Sequence, residues 1–230
     1  MGEQWIGTAY MISTWILPAV LAITLHEAAH GFVAFRCGDP TAWQLGRVTL
    51  NPLKHIDPFG TILLPGLLLL LRSPFLFGYA KPVPVNFRAL ANPRRDMVWV
   101  AAAGPAANIL MALAAGLLAH VVLYLPPAAM EWSLRNLENA IVINVVLAVF
   151  NMIPLPPLDG GRVAVGLLPD FLALPLARLE PFGMGILLGL LFILPLVGEQ
   201  FGANLDIVGW LLARPVSIVI DLVAAVTGNG

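Results

Sequence analysis

Residues 4–25 carry no Asp, Glu, Lys or Arg, and this run leads directly into His26-Glu27-Ala28-Ala29-His30. About 20 consecutive apolar residues cross the hydrocarbon core of a bilayer as a helix. The stretch therefore commits the chain to a membrane and places two imidazoles and a carboxylate within it or just below it. A charged side chain in that setting costs ~2.5 to 3.5 kcal/mol on insertion scales. In a soluble helix the same five residues would most often form a solvated face, and here no such face is offered.

Composition extends the argument to the whole chain. Of its residues, 59% are hydrophobic and 11% charged, against roughly 25% charged in an ordinary soluble domain, and mean hydropathy is +0.88. A formal net charge of -1 argues against nucleic acid as a partner, because phosphate binding needs a concentrated basic surface. The single cysteine, Cys37, excludes an internal disulfide and a cysteine metal cage. Apolar runs predict membrane helices over residues 10–35, 97–123, 139–158 and 182–198, with a further, interrupted candidate over 207–227. The expectation is an all-α polytopic membrane protein, a single domain over 1–230. Its helical bundle has a three-helix catalytic core at about 10–165, a small re-entrant or β-hairpin region, and C-terminal helices at about 180–227.

Residues 59–80 fit this scheme least simply. Eight of the twelve Lys and Arg residues lie between the first and second predicted spans, and all but Arg72 flank this segment, on both sides. The positive-inside tendency puts both flanks in the cytoplasm, so 59–80 is expected to enter and return as a re-entrant hairpin. The motif helix then runs inward, and both His26 and the turn at Asp159 lie toward the cytoplasmic side.

Residues i and i+4 share one helix face, so His26 and His30 can offer two imidazoles to one ion while Glu27 projects beside them. Catalytic zinc takes three protein ligands and keeps a fourth position for water. Asp159 is the outstanding candidate for the third ligand. It follows an apolar run within Pro156-Pro157-Leu158-Asp159-Gly160-Gly161-Arg162, where two glycines permit a turn that would aim the carboxylate sideways. Its plainer role is an interfacial ion pair with Arg162. Asn108, one turn after Gly104-Pro105, can bond another helix or serve the chemistry. Asn151 can satisfy carbonyls released by Pro154 or contact a substrate backbone or oxyanion. Asn144 has only a packing role, His55 reads as a loop histidine between prolines, and His120 as interfacial.

Taken together, His26-Glu27-x-x-His30, Gly104-Pro105-x-x-Asn108 and Asn151-x-x-Pro154-x-x-x-Leu158-Asp159-Gly160 resemble the site-2 protease family of intramembrane zinc metalloproteases. The phrases Asn51-Pro52-Leu53-Lys54-His55-Ile56-Asp57-Pro58 and Lys81-Pro82-Val83-Pro84-Val85-Asn86 resemble its short prokaryotic subgroup without PDZ or CBS modules. The resemblance implies one Zn2+ per chain held by His26, His30 and Asp159, with Glu27 as general base and Asn108 and Asn151 in support of substrate or transition state. It also implies a multi-pass protein of a prokaryotic cell membrane acting on a single-span membrane protein. Such a substrate must unwind before its carbonyl can be attacked, and Val48-Thr49-Leu50 and Val83-Pro84-Val85 are β-prone segments that could pair with it. A catalytically silent scaffold of the same fold and a divalent-metal transporter are the competing readings. The clustering of polar residues at one depth disfavours transport, and the retention of Glu27 with all three ligands disfavours the scaffold.

Overall fold

The computed structural model describes residues 2–70 and 78–230. Its long helices are α1 (Gly2–Arg36), α4 (Pro93–Val122), α5 (Pro127–Asn151) and α10 (Ile207–Thr227). Short α2 (Thr41–Gln44) and α3 (Leu64–Leu70) lie between α1 and α4. Three shorter helices follow α5, namely α6 (Asp159–Leu167), α7 (Asp170–Ala177) and α8 (Glu180–Leu188). The π-helical turn Gly189–Ile193 continues α8 into α9 (Leu194–Gln200). Among the described residues, five stretches are long and apolar enough to cross a membrane: Ala9–Arg36, Pro93–Val122, Pro127–Asn151, Glu180–Gln200 and Ile207–Thr227. The chain is an all-α, multi-pass integral membrane protein.

Helices α1, α4 and α5 pack against one another, with α6 against α4 and α10 against α4 and α5. Many residues buried between them are small, among them Ala22, Ala34, Ala112 and Ala148. Small side chains let helix backbones approach closely, the main source of helix association where no water is present to drive it. Outward-facing Ile16, Phe32, Leu110 and Leu118 are all at least half exposed. In water such a surface would be a liability, and in lipid it is the solvated face.

The third span differs from the sequence expectation of 139–158. Helix α5 begins at Pro127, whose fixed φ suits a first helical position, and stops at Asn151. Pro154, Pro156 and Pro157 lack the N–H that would continue the helical ladder, and residues 152–158 form turns instead.

The expected β-hairpin element is also corrected. Among the described residues there is no strand: Val48-Thr49-Leu50 is a series of bends, and Val83-Pro84-Val85 is irregular chain. Prolines 82 and 84 cannot donate to a ladder. Side chains anchor this segment instead. Arg47 donates to the carbonyls of Lys54, Lys81 and Pro82, and Asp39 accepts from the N–H of Asn86 at 2.6 Å.

Of the segment 59–80, residues 71–77 lie outside the described residues. Its two flanks meet. Tyr79 N–H donates to Gly60 O at 3.0 Å, Thr61 Oγ1 donates to Tyr79 O at 2.9 Å, and Lys81 N–H donates to His55 O at 2.9 Å. A single crossing would separate the flanks by the hydrocarbon thickness of about 30 Å, so their contact accords with entry and return on one side.

Candidate metal centre and active site

His26 and His30 lie one turn apart on the inner face of α1, both buried. Their Nε2 atoms are 3.0 Å apart, and Asp159 Oδ2 lies 3.2 Å from the first and 3.3 Å from the second. Asp159 opens α6 rather than sitting in a glycine turn. Gly160 and Gly161 are helical, and a Cβ on either would collide with the backbone of Met152–Ile153 or Leu155–Pro156. The glycines serve close approach. They let the first turn of α6 press against the proline-rich turn, which brings the carboxylate to the histidines. At the other end of α6, Arg94 donates to the carbonyls of Gly166 and Leu168 and to Asp170.

Hydrogen bonds fix which imidazole nitrogens carry protons. His30 Nδ1 lies 2.7 Å from the carbonyl oxygen of Val100, which can only accept. His26 Nδ1 lies 2.6 Å from Asn108 Oδ1. The orientation of Asn108 is set by its amide nitrogen, which donates to Ala22 O at 3.3 Å and to Asn144 Oδ1 at 2.8 Å. Asn144 in turn donates to Ala140 O at 2.8 Å. Both histidines are therefore protonated on Nδ1 and present bare Nε2 lone pairs to each other and to Asp159.

Three electron-pair donors converging in a buried space repel unless a cation lies among them. A tetrahedral zinc ion with bonds of about 2.0–2.1 Å holds its ligands about 3.3–3.4 Å apart, close to the separations here. Asp159 Oδ2 is also buried without a hydrogen-bond partner. The three residues form a group able to hold one metal ion.

Glu27 faces the same cavity of about 340 Å³, bordered also by Val83, Phe87, Asn151 and Arg162. Its Oε2 accepts from the backbone N–H of Val83 at 2.7 Å. Asn151 donates to Leu147 O at 3.0 Å, so its amide braces the end of α5 while bordering the cavity. The alternative pairing of Asp159 with Arg162 is not what forms. Arg162 donates to Glu180 at 3.1 Å and lies over the ring of Phe87. His55 is buried beside Thr49 O, away from the cavity, and His120 meets Thr227 O near the end of α4. Asn144 was legible only as packing. Its spacing of seven residues from Asn151, two turns on one face of α5, is the signal that links it to the site. Arg47 and Asp39 carry no comparable signal, because loop residues have no periodicity to read.

A polytopic helical fold that brings two histidines and an aspartate around one point, with a glutamate alongside, defines an integral membrane protein with a metalloprotease-type centre. The profile of Peptidase family M50 matches residues 118–194, which include Asn151 and Asp159. The protein named "Putative zinc metalloprotease YwhC" from Bacillus subtilis (strain 168) is 39% identical over 185 residues, covering 79% of this chain and 80% of that one. "Putative zinc metalloprotease Rip2" from Mycobacterium tuberculosis (strain ATCC 25618 / H37Rv) is 30% identical over 201 residues, 87% of this chain and 72% of that one. No solved structure matches. The chain belongs to peptidase family M50, the site-2 protease family.

Proposed function

We propose that this protein is an intramembrane zinc endopeptidase that cleaves single-span membrane proteins within or near their transmembrane helix, in regulated intramembrane proteolysis. The observation that carries this reading is the triangle of His26 Nε2, His30 Nε2 and Asp159 Oδ2 beside Glu27 at a cavity within a membrane bundle. One zinc ion per chain, held by these three atoms, would supply a Lewis acid that polarises the scissile carbonyl and lowers the pKa of water. Glu27 takes a proton from the attacking water as the new C–O bond forms, then gives it to the departing amine nitrogen as the C–N bond breaks. Its Oε2 is steadied by the Val83 N–H, which leaves Oε1 to face the reacting water. Asn108 keeps His26 in the tautomer that offers Nε2. Asn151, on the cavity wall, is positioned to meet the substrate backbone.

A helical substrate presents no free carbonyl, so it must be held extended. The segment 83–87 borders the cavity, and pairing along its edge would hold a substrate strand in that form. The excess of Lys and Arg between α1 and α4 supports a cytoplasmic-side site in a prokaryotic cell membrane. Substrate and lipid are the partners of this reading, and nucleic acid is not one.

The test is Glu27→Gln, assayed on a helical substrate in detergent with zinc content measured in parallel. Cleavage should fall by roughly 10²- to 10⁴-fold while zinc remains bound. Wild-type cleavage by the variant would remove Glu27 from the mechanism.

A further inference from the structure

Gly104 occupies a buried position on α4 and does not border the cavity that Glu27 faces. A Cβ built on it would come within 2.5 Å of His30 Nε2 and 2.6 Å of His26 Nε2 and Cε1. Non-bonded carbon and nitrogen do not approach so closely. All three of its nearest neighbours would be imidazole atoms, two of them the nitrogens that face Asp159. The smallest possible side chain at this position would therefore push both rings off the arrangement in which their lone pairs converge.

We infer that Gly104 is a positioning residue for the metal centre: its missing Cβ is the space that lets the two imidazoles converge with Asp159. It binds nothing itself. Its backbone closes the cluster on the side away from the cavity, which leaves the Glu27 side as the approach for water and substrate. His30 is held from the same helix, since its Nδ1 donates to Val100 O four residues before Gly104. One stretch of α4 thus both orients a ligand and vacates the room it needs. A chain with every ligand and Glu27 intact, but with alanine at 104, would be a metal-free scaffold. This inference rests on the metal reading above.

The experiment compares zinc per chain, a Co2+ titration followed in the visible spectrum, and zinc-dependent thermal stabilisation in wild type, Gly104→Ala and Gly116→Ala. Gly116 supplies the control because a Cβ there would lie 2.6 Å from Thr227 Oγ1, an equally tight contact that involves neither His26 nor His30. Wild type should bind one zinc, show the four-coordinate Co2+ spectrum and melt higher with zinc, since a ligand that binds only the folded state stabilises it. Gly104→Ala should retain less than about a tenth of the zinc, lack that spectrum, and melt like chelator-stripped wild type with or without the ion. Gly116→Ala should melt lower yet keep its zinc per folded chain. Wild-type zinc content in Gly104→Ala overturns the inference. Failure of wild type to bind zinc overturns the metal reading itself, and this inference with it. If Gly104→Ala does not fold, it is compared with the same change in a His26→Ala, His30→Ala background. Recovery of folding there supports the inference, because only the imidazoles stood in the way. Continued failure assigns Gly104 to helix packing and ends it.

Discussion

The backbone N–H of Val83 donates to Glu27 Oε2 at 2.7 Å, which ties the carboxylate beside the metal ligands to the chain segment bordering their cavity. Pro82 and Pro84 offer no N–H, so Val83 is the sole backbone donor from 82 to 84. Val83→Pro removes this donor without touching the side chain of Glu27. A hydrogen bond to a charged group is worth about 1.5–3 kcal/mol, so kcat should fall by roughly 10- to 100-fold. Zinc content should not change. A cleavage assay with paired metal analysis decides this, and an unaltered kcat would mean that Glu27 orients itself without the segment.

Asn108 fixes the tautomer of His26 only because Asn144 and Ala22 fix Asn108. Partners behind a metal-ligating histidine typically contribute 10- to 100-fold in metal affinity. Asn108→Ala is expected to weaken zinc binding by about that factor, measured by competition with a chromophoric chelator. Asn108→Asp keeps an acceptor for His26 Nδ1–H but sets its second oxygen against Ala22 O and Asn144 Oδ1, so it should recover only part of the loss. Asn144→Leu should shift affinity in the same direction as Asn108→Ala but less, because Ala22 O still holds the amide.

Arg47 is buried and spends its guanidinium on the carbonyls of Lys54, Lys81 and Pro82. It therefore joins the loop after α1 to the chain that supports Glu27. Arg47→Ala leaves those carbonyls without their donor, and faster amide exchange is expected across residues 78–86, with KM raised several-fold at constant zinc content. Arg47→Lys should fall between the two, since one ammonium group cannot span the carbonyls that the planar fork reaches. Unchanged exchange in Arg47→Ala would show that Asp39 and Glu27 hold the segment unaided.

What could be read from the chain in advance divides along physical lines. Long apolar runs and the i, i+4 histidines depend on local periodicity, so the bounds of α10 and the C-terminal ends of α1 and α4 follow from the sequence to within a residue, whereas α1 begins at Gly2 rather than 10 and α4 at Pro93 rather than 97. Helix α5 was misplaced because hydropathy stays high through residues 152–158, whereas the helix obeys the missing N–H groups of its prolines. Asp159 could be singled out as an isolated acid after an apolar run, but the manner of its delivery could not. Gly160 and Gly161 act by permitting contact with backbone that precedes them, a tertiary effect without a local sign. The β-prone valines at 83 and 85 were overruled for a similar reason: a side-chain carboxylate 56 residues earlier accepts the N–H that a strand would have used.

Topology gives the last prediction. The contacts of Gly60 with Tyr79 and of His55 with Lys81 require that the chain before residue 58 and after residue 80 share one side of the membrane. Lys54 and Arg88 are exposed on these two flanks. In a Cys37→Ser background, Lys54→Cys and Arg88→Cys should both react with a membrane-impermeant maleimide only when the cytoplasmic face is open to it. Arg88 on the opposite side from Lys54 would make 59–80 a true span and break the contacts that bring Val83 to Glu27. Both positions reacting from outside would keep the hairpin but reverse the protein, moving the metal ligands toward the extracytoplasmic side. The positive-inside count argues against that second outcome, because short loops rich in Lys and Arg are retained in the cytoplasm.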